Sequence, residues 1–322
     1  MNEAKQDMAV NELSDVELAG KLRDLKKWTF IKKACVPVCV VVGFVCMALF
    51  AAQEMWAGLI ASIVVALAVA AWLFFAANSK TARLKDLMGS AVTMPLLREV
   101  FEVTSYLPSG HISGQEVRSA GLIEEWDRIA GSDFIEGTYK GIQIRYSDLH
   151  LEREEEYYDE GKRKTRYVTV FKGQWLICDF QKELAAALRL FERKSGTKWK
   201  SVRDMSRSSI ETENIEFNKK FRILTVDGHT AFYVLTPHFM EHLLAADETA
   251  DAASFFCFMD GKVHIALYSG RDSFELKGVK VSDMEAVRNK FRRDLKYMTD
   301  MMDELLINDI LFKQRRNDPI FT

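Results

Sequence analysis

The amino-acid sequence predicts an α+β fold. An N-terminal two-helix transmembrane hairpin precedes a cytoplasmic domain, built on a mostly antiparallel sheet with flanking helices and a long C-terminal helix. Three observations carry that expectation. Two charge-free apolar runs follow one another near the N-terminus. Short alternating segments parted by two-residue turn signals then recur, while long helical crossovers are scarce, as antiparallel pairing requires. The chain ends on a stretch with apolar residues at helical spacing. The expected organisation is a cytoplasmic helical arm over 1–33, the hairpin over 34–77, membrane-proximal helices over 78–131 and the α+β domain over 132–322.

The hairpin rests on residues 34–52, 19 residues without a charge, and 55–77, a further 23. At about 1.5 Å per residue each can cross a hydrocarbon layer of roughly 30 Å. Gln53 and Glu54 interrupt them, which favours two spans over one overlong helix. Lys21, Arg23, Lys26, Lys27, Lys32 and Lys33 precede the first run, and Lys80, Arg83 and Lys85 follow the second. The positive-inside rule then puts both termini in the cytoplasm, with the lipid of a bacterial-type inner membrane as the first partner. Trp28, Trp56 and Trp72 fall near the expected interfaces, and Ser62, Ala66 and Ala70 give the second span a small-residue stripe. No charge lies inside either run, which argues for an anchor and against a channel or proton relay. The long arm ahead of the first run and the presence of a second argue against a signal peptide.

Composition narrows the rest. In 322 residues, 44 Lys and Arg oppose 46 Asp and Glu, and 48% of residues are hydrophobic. A disordered chain is excluded by that apolar content, and the charge balance gives no electrostatic case for a nucleic-acid binder. Cys35, Cys39 and Cys46 belong to the first span, and Cys178 and Cys257 to apolar strand-like contexts; none has the spacing of a zinc knuckle or a Cys-x-x-Cys pair.

Along the chain, Ser14-x-x-Glu17 opens a helix with Leu18, Leu22, Leu25 and Trp28 on one side. Residues 81–103 read as helical, broken near Gly89 and Pro95, and Ser113-x-x-Glu116 opens another helix running through Trp126 and Ile129. Ile142, Ile144 and Tyr146 then alternate, as do Val168 and Val170, and Trp175–Phe180 continues as a strand. Between them an acidic and a basic cluster fit a hairpin turning at Glu160-Gly161, which would set Asp159 against Lys162, Tyr158 against Arg163, Tyr157 against Lys164 and Glu155 against Arg166. Two strands are expected around Asp227-Gly228, a helix from Thr236-Pro237, and a hairpin around Asp260-Gly261. A last helix follows Ser282-x-x-Glu285, with the stripe Met284, Val287, Phe291, Leu295, Met298, Met302 and Leu305. That Met-rich stripe covers the core or joins two copies of the chain. A pleckstrin-homology-like barrel closed by this helix is one possible form of the domain.

Val170-Phe-Lys-Gly173 leading to Cys178-Asp-Phe180, Glu216-Phe217 with Phe221, Leu235–Leu243 and the strands flanking Asp260-Gly261 resemble the bacterial membrane-protein family catalogued as domain of unknown function 3137, over about residues 130–280. The resemblance implies a membrane-tethered cytoplasmic domain and brings no catalytic residues.

One motif carries a chemical mechanism. His238-Phe-Met-Glu-His242 fits H-x-x-E-H, in which two imidazoles one helical turn apart can hold zinc while Glu241 activates a water. A third ligand would come from downstream, with Glu275 and Glu285 available. The same helix read as plain structure buries Phe239, Met240, Leu243 and Leu244 and leaves His238, Glu241 and His242 wet. Phosphate-binding and dinucleotide-binding glycine motifs are absent, and Gly110-His-Ile-Ser-Gly114 has its serine one place late for a nucleophile elbow. The sequence therefore points first to a membrane-anchored interaction or regulatory module, with no catalytic residues or cofactor of its own and a protein partner at the membrane face. The alternative is a membrane-tethered zinc hydrolase using His238, Glu241 and His242.

Overall fold

The computed structural model describes residues 15–28, 30–31, 34, 56–123, 125–179, 184–193, 209–249, 252–276 and 278–306. The chain forms two compact units, Met1–Thr93 with Leu276–Arg288, and Met94–Glu275 with Asn289–Thr322.

In the first unit residues 15–28 are helical; of the expected stripe Leu18 and Leu22 are buried, with Ala19 beside them, and Leu25 and Trp28 are half-buried. Arg288 grips Asp15 through both guanidinium nitrogens at 2.6 and 2.9 Å, and Lys26 donates to the Leu276 carbonyl at 3.4 Å. Helix α1, Trp56–Met88, runs for 33 residues. Val64, Val65, Leu67, Trp72 and Phe75 are exposed along it, whereas Ala77, Leu84 and Met88 are buried. Among the described residues no helix is long and apolar enough to cross a membrane. Residues 35–55, which hold most of the first apolar run with Cys35, Cys39, Cys46, Gln53 and Glu54, lie outside the description, as does Ser14. So do the side chains of 56–63, 66 and 70, among them Trp56, Ser62, Ala66 and Ala70. A π-helical turn, Gly89–Thr93, follows α1, close ahead of Pro95, whose missing N–H and bulky ring disfavour a regular helix there.

The second unit opens with α2 (Met94–Arg98) and then β1 (Glu102–Leu107), so the helical stretch ends earlier than its apolar spacing suggests. Helix α3 (Gly114–Ala120) starts as expected: the Ser113 hydroxyl accepts the Glu116 amide at 3.3 Å and donates to its carboxylate at 2.9 Å. It does not continue through Trp126. Gly121 adopts φ +61 and ends it, and the chain enters β2 at Arg128. The other strands are β3 (Ile142–Asp159), β4 (Lys162–Asp179), β5 (Leu188–Glu192), β6 (Ser209–Ile210), β7 (Phe221–Leu224), β8 (Ala253–Met259) and β9 (Lys262–Tyr268). Helices α4 (Ile215–Lys220), α5 (Gly228–Val234), α6 (Pro237–Thr249) and α7 (Met284–Leu306) complete the list. The predicted strand pair around Asp227-Gly228 is replaced on its second side by α5. The Asp227 carboxylate caps that helix, accepting from the amides of His229 and Thr230 at 3.2 and 3.0 Å.

The strands form one nine-stranded sheet in the order β1-β2-β3-β4-β9-β8-β5-β7-β6, with every pairing antiparallel. Its end strands do not pair with each other, so among the described residues the sheet is open rather than a closed barrel. One face gathers Leu149, Leu151, Phe171, Trp175, Ile177 and Cys257 against Val117 and Ala120 of α3. The opposite face meets α4, α6 and α7: Phe221 packs between Phe217 and Phe256, Phe239 packs on Phe258, and Met298 and Met301 lie over Tyr146, Leu176 and Leu267. Every residue of the α7 stripe is buried, as a core-covering helix requires.

The β3–β4 hairpin has the expected register at its tip, with Asp159 opposite Lys162, Tyr158 opposite Arg163, Tyr157 opposite Lys164 and Glu155 opposite Arg166. Glu160 and Gly161 turn at φ 50 and 77, both in the left-handed region that a two-residue hairpin of this kind needs. Pairing with β2 stops at Glu152 and pairing with β9 begins only at Gln174, so the tip continues as a two-stranded ribbon. At the junction, a Cβ on Gly173 would stand 1.9 Å from the Leu267 carbonyl oxygen; only glycine lets β9 approach there.

Candidate functional site

Helix α6 forms where the sequence places it. The Thr236 hydroxyl accepts the Phe239 amide at 3.3 Å, and Pro237 occupies the first helical position, where its missing N–H costs nothing. Phe239, Met240, Leu243 and Ala246 are buried and fix the helix's rotation. His238 and Glu241 consequently face outward, and His242 sits at the boundary with 16% of its side chain exposed.

The two imidazoles meet. Their Nε2 atoms are 3.1 Å apart and their planes stand at 82°. On its other nitrogen, Nδ1, His242 faces a Glu304 carboxylate oxygen of α7 at 3.3 Å. If Nδ1 carries the proton and donates it to Glu304, the His242 Nε2 lone pair points toward His238. The carboxylate that joins the pair is thus Glu304 and not Glu275 or Glu285. Glu304 approaches from the far side of the ring. Among the described residues no group of three or more His, Cys, Asp or Glu side chains is placed to hold a metal ion.

Other ionisable groups are drawn into the fold's own joints. Asp148, on an inward position of β3, accepts from the Ser273 amide at 2.7 Å, Gln174 Nε2 at 3.1 Å and the Tyr146 hydroxyl at 3.2 Å. Burial, and then the neighbouring Asp133, push its carboxyl well above the ordinary range. Tyr146 shares a 2.7 Å contact with the Ser273 hydroxyl, and Lys172 pairs with Asp272 at 2.9 Å, so the segment 271–274 is tied to β3 and β4. At another joint, buried Asp247 of α6 binds both Lys220 of α4 and Ser254 of β8, while Lys220 also reaches Glu192 of β5 at 3.0 Å. Burial works against the Lys220 ammonium, but its two carboxylate partners hold its pKa above the usual value; it is a fixed cation, not a base.

His264 is of a third kind. It is buried beside Trp175, its Nδ1 and the Trp175 Nε1 have no hydrogen-bond partner among the described residues, and burial lowers its pKa to about 4. Both described cysteines, Cys178 and Cys257, are buried thiols pushed up to about 12 by burial, which leaves them unreactive at neutral pH. Sequence reading missed Asp148, although the alternation Ile142, Ile144, Tyr146 already places position 148 inward. Nothing in sequence spacing could have linked Lys220 to Asp247 or His242 to Glu304.

Residues 169–306 match the family described as "Protein of unknown function (DUF3137)". This match supports the resemblance read from the sequence. It contains all the segments that carried the resemblance, begins at the β4 side of the ribbon's base, and extends beyond them through α7 to Leu306. A comparison with curated proteins gives no match. Among solved structures, the crystal structure of the mycobacterial trehalose monomycolate transport factor A, TtfA, is similar at 9% identity, over 64% of this chain and 88% of that one, with a TM-score of 0.31. No shared fold or role follows from a score that low.

Proposed function

We propose that this chain is a membrane-anchored interaction or regulatory module, without catalysis of its own, that holds a protein partner at the cytoplasmic face. The observation that carries the anchor is α1. Its charge-free first two-thirds expose Val64, Val65, Leu67, Trp72 and Phe75, with Trp72 at 66% and Phe75 at 71%. Isolated exposed apolar residues are ordinary, but a helix exposing them successively is suited to a hydrocarbon surround. Together with the run at 34–52 and the basic flanks, it supports a hairpin with both termini in the cytoplasm. The assignment of a non-catalytic role is supported by where the buried ionisable groups go. Asp148, Asp247 and Lys220 each join secondary-structure elements to one another. A zinc hydrolase built on Glu241 would need another protein ligand beside the two Nε2 atoms, and Glu304 stands on the opposite side of His242.

The test is single-cysteine labelling of a Cys-free full-length chain in intact cells, with a membrane-impermeant maleimide. Gln53→Cys should label from outside, Glu160→Cys only after lysis, and the protein should resist carbonate extraction from membranes. Recovery of the chain in the soluble fraction, or labelling of Glu160→Cys in intact cells, defeats the reading.

A further inference from the structure

We propose that His238 and His242 form a two-imidazole binding site for a divalent transition metal of the kind that prefers nitrogen ligands, zinc in the first instance. In this assignment Glu304 positions His242, so that occupancy strengthens the attachment of α7 to α6. The inference is independent of the membrane anchor. Its first support is distance. With metal–nitrogen bonds of about 2.0–2.1 Å, two nitrogens 3.1 Å apart subtend about 100° at a shared ion, between the octahedral and tetrahedral angles. The second is direction: it is the Nε2 atoms that face each other, while Nδ1 of His242 is engaged elsewhere. The third is the partner of that Nδ1. Metal-binding imidazoles are generally oriented by a carboxylate or carbonyl on the second nitrogen, and Glu304 stands where such a group belongs.

The fourth support is access. His238 is exposed and Glu304 half-buried, so an ion can enter from solvent and keep water in its remaining positions. A two-ligand site with open positions is poorly suited to a permanent structural ion and well suited to reversible loading. Because Glu304 sits on α7 and the histidines on α6, the loaded ion polarises His242 and strengthens its Nδ1–H bond to Glu304. Metal level would thereby act on the packing of the C-terminal helix.

The experiment uses the full-length chain in detergent, stripped with chelator, with Zn²⁺ as the probe and thermal unfolding as the readout, backed by metal content per chain after desalting. Zinc binding only to the folded protein should raise Tm in proportion to the logarithm of its concentration, with about one ion retained per chain. His238→Ala, at an exposed position where folding should be spared, and His242→Ala should each abolish the shift. Glu304→Gln should weaken zinc binding by about 10- to 100-fold while leaving the stoichiometry intact. His229→Ala, at an exposed imidazole on α5, should behave as the parent. Absence of a zinc-dependent shift in the parent chain overturns the proposal. So does a shift that persists in both His238→Ala and His242→Ala, and Glu304→Gln binding zinc as the parent does removes the role given to Glu304.

Discussion

The two ends of the β3–β4 hairpin are made of the same two strands and held by different physics. At the base, Tyr146, Leu149, Leu151, Phe171, Trp175 and Ile177 are buried on both faces, and further strands pair on either side. At the tip, both outer edges lack a strand partner among the described residues. The side chains are charged or aromatic: Arg163 pairs with Glu156, Lys164 with Asp159 at 2.5 Å, Arg166 with Glu155 at 3.1 Å, and Tyr167 donates to Glu154 at 2.9 Å. Backbone pairing alone makes neither half. One half exists because it excludes water, and the other because its cross-strand pairs and its turn agree on a register. The β3 edge of the tip is acidic and the β4 edge basic, so each disfavours pairing with its own kind.

Mutation should separate the halves. The largest effect belongs to the base: Phe171→Ala removes a fully buried ring that stacks edge-on with Trp175, their centroids 5.8 Å apart. It should lower unfolding free energy by about 3–5 kcal/mol, read as a fall in denaturant midpoint with unchanged slope. A base that tolerates this change would mean that hydrogen bonding carries the hairpin throughout.

The next effect is pH-dependent. His264, opposite Ile177, titrates near 4 in the folded chain against 6.5 when free, so folding favours its neutral form. That contribution is complete above pH 6.5 and is lost as pH falls toward 4, reaching about 3 kcal/mol there. His264→Phe should flatten that part of the stability–pH curve and cost little at pH 7, because the Nδ1 it removes has no partner among the described residues. An unchanged acid slope would place the sensitivity elsewhere.

The smallest effect is at the tip. Glu155→Lys breaks contacts to Arg153 and Arg166 at a half-buried site on the ribbon, and should leave the denaturant midpoint close to the parent's. It should instead raise amide exchange selectively over residues 153–168, because register there has no buried support. Equal loosening of base and tip would break the distinction between them.

That distinction also marks what was legible in the sequence. The ribbon's register and turn follow from local charge order, and the α7 stripe and Ser113 cap follow from spacing, because each depends on neighbours within a few residues. Asp227-Gly228 misled for the opposite reason: the same dipeptide that turns a hairpin can cap a helix. Ala231–Leu235 contains residues at home in either, so tertiary packing decided. The end of α3 was readable in principle from Gly121. At the candidate site the meeting of His238 with His242 follows from four-residue spacing, but Glu304 lies 62 positions away and arrives only through helix packing.

Strand β4 has a further consequence, for synthesis. Its apolar base, Trp175 to Cys178, lies at the middle of the sheet, and the strand that covers its free edge is β9, complete only at Tyr268. Between those points the ribosome must add the rest of β5 to β9, which at about 5–20 residues per second takes roughly 4–18 s. During that interval the first four strands can pair as a meander while an apolar edge stands open beside a growing chain. The nascent protein is therefore most vulnerable to intermolecular strand pairing before its last hairpin emerges, a window that chaperones or slow dilution would have to cover in any attempt to produce it.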